Sequence, residues 1–363
     1  MEKADTGSNS MDFAEIVLKI MKCLGVEFAP LNIPFRRRLQ TLAAGFWFIT
    51  MVLGGFAGSI LAVYLVLFTQ YWWLTLLYLF WALVMDRHTS ERSGRRNEWM
   101  RSWSWWKYTR EYFPTSLERV PWMTLDKKKN YLFCCYPHGM LCTGPFMAFG
   151  TNYGGFDQFF PNHKTHIITL DQHFSMPFFR ELALGLGGCK ATAKSISHIL
   201  NKEEGGNVAI LMVGGATEAF YCKPGVYKII YDKRKGFIKI AIRTGAPLVP
   251  VISFGETDLF DQLENPEGSL LRSVQEWLKK YIGLAPAIPV GRGFFQYTFG
   301  MIPKRKPVHT IVGQPMEVEK NANPTQEQID TLHEKFKQHL INLFEEQKYN
   351  YVQNPEQTKL EFI

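Results

Sequence analysis

Between Leu39 and Met85 the chain contains no Asp, Glu, Lys or Arg, a stretch of about 47 residues where one helical crossing of a bilayer needs about 20. A soluble core helix of that length would be exceptional, so the stretch reads as a membrane element. Basic residues stand at both ends, Arg36, Arg37 and Arg38 before it and Arg87, Arg92, Arg95 and Arg96 after it. The positive-inside rule puts both flanks in the cytosol and makes the number of crossings even. Two arrangements satisfy this, a pair of tight transmembrane helices or a re-entrant hairpin. At about 1.5 Å per residue the stretch covers a hydrocarbon core of about 30 Å twice, with almost nothing left for a lumenal loop. Gly54, Gly55 and Gly58 permit close helix contact, and Thr69 and Gln70 offer polar relief.

The flanks divide the rest of the chain. The first ten residues are polar and charged, unlike a cleavable signal peptide, and are expected to form a disordered tail. Phe13, Ile16, Val17, Ile20, Met21 and Leu24 then recur at helical spacing, which predicts an amphipathic helix lying on the bilayer or packed on the body. After the hairpin, Trp99, Trp103, Trp105, Trp106, Tyr108, Tyr112 and Phe113 crowd a basic stretch, and such rings favour the headgroup level. The expected division is 1–38 for tail and amphipathic helix, 39–86 for the membrane hairpin and 87–363 for a membrane-associated cytosolic α/β domain.

Beyond Pro121 short apolar runs alternate with helical stretches. Tyr131 to Cys135, His166 to Leu170, Val208 to Val213, Leu248 to Phe254 and Val308 to Val312 read as strands. Helices are expected near Met176 to Leu184, Lys194 to Asn201, Gly236 to Thr244 and Ser269 to Tyr281, with a last one starting around Asn323-Pro324. Alternation of this kind predicts an α/β fold, a sheet flanked by helices. Six cysteines form no C-x-x-C pair and read as reduced thiols. The net charge of +8 suits a membrane surface or an anionic substrate, and no nucleic-acid motif accompanies it.

Several chemistries lack their handles. No G-x-S-x-G elbow or Walker A sequence occurs, and Gly185-Leu186-Gly187-Gly188 fails the dinucleotide fingerprint because Lys190 stands where its last glycine belongs. His163 and His166 lack acidic or cysteine partners at ligand spacing, so no metal and no bound cofactor is expected.

What remains is concentrated at two strand ends. Tyr136-Pro137-His138-Gly139 follows the first strand and places one imidazole at a sharp turn, either as a general base or as a turn histidine capping the next helix. Val208 to Val213 runs into Gly214-Gly215-Ala216-Thr217-Glu218, which repeats the strand-then-turn arrangement. Two strand ends on one sheet edge bring Glu218 near His138, where its carboxylate can hold the imidazole tautomer or bind a substrate hydroxyl; a first-turn glutamate favoured by the helix dipole is the plainer explanation. Arg234, Lys235, Lys239 and Arg243 stand before and within a helix start, as a phosphate cradle or as a solvated basic face.

These residues resemble the diacylglycerol acyltransferase type 2 family, which includes monoacylglycerol, diacylglycerol, wax-alcohol and retinol acyltransferases. The resemblance rests on Tyr136-Pro137-His138-Gly139, Val213 to Glu218, Arg234-Lys235-Gly236-Phe237, Leu248-Val249-Pro250-Val251, Phe254-Gly255-Glu256 and Gly291-Arg292-Gly293-Phe294. Glu27 to Leu31, the arginine run before Leu39-Gln40-Thr41-Leu42, and Asp258 to Gln262 look most like the monoacylglycerol branch. Tyr136 stands where many animal members carry a histidine, so His138 is the histidine left for catalysis.

The resemblance implies a glycerolipid acyltransferase-like mixed sheet. It also implies transfer from acyl-coenzyme A, as co-substrate, to mono- or diacylglycerol, with His138 and Glu218 catalytic. Tyr136, Pro137, Gly139, Gly214, Gly215 and the four cations would bind substrate. Residence in the endoplasmic reticulum membrane or on lipid droplets follows, and the chain is compatible with a homo-oligomer. The alternatives are a wax-alcohol or retinol acyltransferase of the same family and a non-catalytic lipid-binding protein.

Overall fold

The computed structural model describes residues 25–30, 32–121, 123–282 and 286–363, so the expected tail and amphipathic helix before residue 25 lie outside the described residues. The strands are β1 (Thr115–Arg119), β2 (Tyr131–Tyr136), β3 (Lys164–Thr169), β4 (Gly188–Lys190), β5 (Asn207–Met212), β6 (Tyr227–Ile229), β7 (Leu248–Phe254), β8 (Asp261–Gln262), β9 (Pro289–Val290), β10 (Val308–Val312) and β11 (Leu360–Phe362). Seven of them form one sheet in the order β1-β10-β7-β2-β5-β3-β4. From β7 to β4 the neighbours run parallel, whereas β10 is antiparallel to β7 and β1 runs with β10. The sheet is therefore mixed, as expected. β2 sits at its centre and is buried along its whole length, which is why Tyr131 to Tyr136 reads as a continuous apolar run.

Alternation of side chains sends Phe133 to one face, against Phe149, Phe156 and Phe160, and Tyr136 to the other, against Tyr231. The helices used below are α1 (Phe35–Phe68), α2 (Trp72–Phe80), α3 (Ser104–Tyr112), α4 (Phe179–Gly185), α5 (Ala193–Leu200), α6 (Gly236–Thr244), α7 (Leu270–Ile282) and α8 (Gln326–Tyr351). On α8, Phe336, Leu340 and Phe344 are fully buried, and truncating any of them to Ala should cost roughly 2–5 kcal/mol. The helix begins two residues later than Asn323 suggested. Thr325 Oγ1 accepts from the Gln328 amide while the Gln328 side chain accepts from the Thr325 amide, a reciprocal pair that fixes the N-cap at Thr325.

The hairpin is asymmetric. α1 has 34 residues and, at about 1.5 Å each, runs about 51 Å; it is the helix among the described residues long and apolar enough to cross a membrane. The chain turns at Thr69 to Tyr71 and returns through nine residues of α2 and a π turn, Trp81–Met85, a path short of the roughly 30 Å needed for a crossing. Two equal arms do not form because the start of α1 is used in the body. Gln40, Ala43, Ala44, Trp47 and Phe48 are buried there, and Trp47 stacks on Phe146 with ring centroids 3.9 Å apart. Gly55 and Gly58 lie against Met176 and Pro177, so the glycines serve packing on the body, not helix-to-helix contact alone. At the foot of the return arm, Arg180 and Arg95 bind Asp86 at 2.6 and 2.5 Å.

The aromatic stretch after the hairpin also divides. Trp99 is exposed, but Trp106, Tyr112 and Phe113 are buried with Trp47 and Phe48 in a core cluster, and the Tyr112 hydroxyl donates to the Pro303 carbonyl at 2.6 Å. These last rings hold α1 to the body and are not at a membrane surface.

Candidate active site

Because β7, β2 and β5 are adjacent and parallel, their C-terminal ends meet on one edge of the sheet, where open α/β sheets bind ligands. Each strand runs into a glycine-bearing turn, and together the turns deliver Glu256, His138 and Glu218.

His138 follows a cis Tyr136–Pro137 bond and lines a cavity of about 540 Å³. Its Nδ1 lies 3.2 Å from the Gly139 carbonyl oxygen, which can only accept, so Nδ1 carries the proton and Nε2 is the basic nitrogen. Burial lowers the imidazole pKa below its ordinary 6.5, and the Gly139 carbonyl pulls the other way. The ring is thus neutral near pH 7. The following turn has its own character. The amides of Gly139, Met140 and Leu141 donate to no protein atom among the described residues, and Met140 and Leu141 line the same cavity.

Glu218 reaches His138, but not its ring. Oε1 accepts the His138 amide at 2.5 Å and Oε2 the Ile230 amide at 2.9 Å, so the carboxylate ties the main chain of one turn to the segment after β6. The expectation that it holds the imidazole tautomer is corrected here: the Gly139 carbonyl occupies Nδ1. Burial pushes the Glu218 carboxyl up to about 7, opposed by the two amides. Gly214 is required beside it, since a Cβ there would overlap the Glu218 carboxylate.

Glu256 was not singled out as a site residue by sequence reasoning. Its two oxygens accept the amides of Thr143 at 2.8 Å and Gly144 at 2.7 Å, at the start of the short helical segment after the His138 turn. It is buried, and burial raises its carboxyl to about 8. Gly139, at φ 56°, packs directly over its side chain, so no residue with a Cβ fits that turn without displacing it. The available signal was a third run of strand, glycine and glutamate, Phe254-Gly255-Glu256.

The other expected residues separate. Tyr136 points away from the cavity into the core beside Tyr231, its hydroxyl without a partner among the described residues. Pro137 is buried within the turn. Gly215 adopts a left-handed φ of 64°, and the Gly214 carbonyl accepts from Arg234 Nη2 at 3.2 Å. Lys235 is instead paired with Asp330 on α8 at 2.7 Å, and Lys239 and Arg243 lie exposed along α6. A single cradle of four cations does not form.

A different lysine reaches the turn after β5. Lys279, on α7, donates from Nζ to Thr217 Oγ1, and its pKa is lowered by burial and then by Arg234. Arg234 and Lys279 thus flank Gly214 to Thr217, next to Ala216 on the cavity wall. Sequence offered no signal for it, being one of two adjacent lysines in an amphipathic helix.

The remaining cavity wall is mostly apolar, with Thr169 and His173 as its polar members, and α1 contributes Trp47, Phe48, Met51, Val52, Leu53 and Phe56 to it. His166 accounts for itself in the fold, bonding Asn207 Oδ1 and the Ser93 carbonyl, and no cluster of three metal-ligating side chains exists among the described residues.

A neutral imidazole with free amides beside it, in a mostly apolar cavity partly walled by a membrane-type helix, suits a transferase acting on lipids. The chain belongs to the diacylglycerol acyltransferase family, whose model matches residues 64–363. It is 46% identical to the 2-acylglycerol O-acyltransferase 1 of Bos taurus, covering 90% of this chain and 96% of that one. The Homo sapiens protein of the same name is 43% identical with the same coverage. Diacylglycerol O-acyltransferase 2 of Dictyostelium discoideum is 40% identical over 89% of this chain and 96% of that one. Among solved structures, the 1-acyl-sn-glycerophosphate acyltransferase of Thermotoga maritima aligns over 85% of this chain and 97% of its own at 15% identity and a TM-score of 0.37.

Proposed function

We propose that this acyltransferase of acylglycerol synthesis esterifies a free hydroxyl of a monoacylglycerol, and also the remaining hydroxyl of diacylglycerol, with the acyl group of acyl-coenzyme A. The observation that carries the reading is His138 on the cavity wall with its Nδ1 proton placed on the Gly139 carbonyl. Nε2 accepts the hydroxyl proton as the acceptor oxygen attacks the thioester carbonyl. A carbon–oxygen bond forms, the carbon–sulfur bond breaks, and the imidazolium returns its proton to the departing thiolate. No acyl-enzyme is required. The amides of Gly139, Met140 and Leu141 are the free donors for the tetrahedral oxyanion, each contribution of this kind being worth about 2.7–4 kcal/mol. Glu218 and Glu256 act through the backbone, holding the turn whose geometry those donors need. Arg234 and Lys279 meet the coenzyme A phosphates, and α1 receives the acyl chain and the acceptor.

The body faces the cytosol on the endoplasmic reticulum membrane, where acyl-coenzyme A is supplied, and lipid-droplet surfaces are open to the same hairpin. The basic flanks of the hairpin and the short return arm support this, and they favour a re-entrant over a twice-crossing hairpin. Membranes carrying the protein, incubated with radiolabelled acyl-coenzyme A and a panel of mono-, di- and long-chain alcohol acceptors, test the assignment. Ester formation on monoacylglycerol that depends on His138 supports it; ester formed only on long-chain alcohols, or none, overturns it.

A further inference from the structure

α7 is amphipathic and leaves an apolar stripe outside. Its inward side carries Arg272 and Gln275, 4% and 2% exposed, whereas Leu270 is 83% and Trp277 59% exposed, with Val274 and Tyr281 continuing the same outward stripe. Polar contacts lock this orientation. Arg272 stacks on Phe220 and Tyr221 at 4.6 and 4.8 Å and binds Glu276 at 2.7 Å. Gln275 accepts from Asn265 at 3.0 Å and donates to the Pro286 carbonyl at 3.1 Å. Turning the stripe inward would break the contacts to Phe220, Tyr221, Asn265 and Pro286, so its exposure is built into the fold. Apolar patches of this kind mark an interaction surface.

Continuity identifies the occupant. The segment that Gln275 grips, Pro286 to Pro289, forms part of the rim of the His138 cavity, together with Met301 and with Leu53 and Phe56 of α1. Ile288, Met301, Leu53 and Phe56 are each exposed, so apolar side chains surround the cavity mouth, and Gln275 fixes α7 to that rim with its own apolar stripe facing outward. Phe295 and Phe299, on the neighbouring loop, extend the same apolar area, and Arg38 lies over the Phe295 ring at 5.6 Å. Lys280, exposed on α7 beside the stripe, supplies positive charge there, the complement of anionic lipid headgroups.

We infer that α7 is a second membrane-docking element, lying in the interface of one leaflet and holding the cavity mouth against the lipid from which the acceptor enters. The inference rests on the membrane-bound reading of the function. α1 anchors the chain, whereas α7 sets the tilt of the body.

The test uses the full chain in vesicles of phosphatidylcholine with a fraction of phosphatidylserine. In a Cys23→Ser background, Trp277→Cys and, separately, Lys335→Cys on the exposed side of α8 carry an environment-sensitive fluorophore; the five cysteines among the described residues are buried. Doxyl-labelled lipid should quench the probe at 277 at least about 3-fold more than the probe at 335. Equal quenching, or self-quenching between labelled chains without lipid quenching, overturns the inference in favour of solvent or a second copy. As a second readout, Leu270→Glu with Trp277→Glu should lower ester formation several-fold on acceptor presented in vesicles and leave it unchanged on a short-chain acceptor in solution. Equal losses on both would refute docking. If the unsubstituted protein forms no ester at all, the enzymatic reading fails while the quenching result still stands on its own.

Discussion

The turns after β2 and β5 look alike in sequence, each an apolar strand running into glycine and one ionisable residue, yet they do opposite work. The first turns its ring outward to a cavity and leaves the amides of Gly139, Met140 and Leu141 free. The second turns its carboxylate back onto the first, accepting the His138 amide. The turn after β7 behaves like the second, with Glu256 beneath Gly139 and its oxygens on Thr143 and Gly144. One presenting turn rests on two supporting ones. A buried carboxylate near a candidate base is therefore as apt to organise backbone as to take part in proton transfer, and only its hydrogen bonds distinguish the two.

The difference can be broken at its strongest point. His138→Ala should lower turnover by roughly 10²–10⁴ with membrane association and unfolding temperature unchanged, because the ring supports no other element. Normal turnover in the purified variant would remove the base from the scheme. Glu218→Ala should instead reduce activity and stability together, since it strands two buried amides at about 1–3 kcal/mol each. Gly214→Ala should mimic it by displacing the same carboxylate. Thermal denaturation alongside turnover checks both; a loss of activity at full stability would return Glu218 to a direct chemical role.

Smaller effects sharpen the comparison. Lys279→Ala should raise the KM for acyl-coenzyme A severalfold with little change for the acceptor, and Lys239→Ala should do neither; steady-state kinetics with each substrate varied separately decides. The pH profile of kcat/KM follows from burial of His138. Its pKa in the folded protein lies below 6.5, so the base form predominates at pH 7 and is lost as pH falls through that lowered value. The acid limb belonging to the ring should therefore appear below pH 6.5. Any additional inflection near pH 7 that disappears in Glu218→Gln would report ionisation of the supporting carboxyl, which burial raises to about 7.

Much of this was legible in advance where a local signal is strong. β7 and β10 match the apolar runs Leu248 to Phe254 and Val308 to Val312 residue for residue, and α6 spans Gly236–Thr244 as its pattern predicts. β1 and β4 escaped notice: the first is mixed in polarity, and the second is three residues long with a glycine. The hairpin was visible as an absence of charge, but its unequal arms were not, because apolarity alone does not say whether lipid or protein covers a residue. For the same reason the aromatics from Trp99 to Phe113 divide between surface and core.

Sequence by itself determined the apolar anchor, the core strands and a histidine at a strand end, since each is written in charge, periodicity or turn chemistry within a few consecutive residues. Tertiary structure alone decided that Glu218 and Glu256 serve backbone amides, that Lys279 and not Lys235 stands by the turn after β5, and that α7 faces outward with its oily side. Those facts depend on which distant segments share a neighbourhood, and hydrogen bonds and burial form across space without leaving a mark on local order.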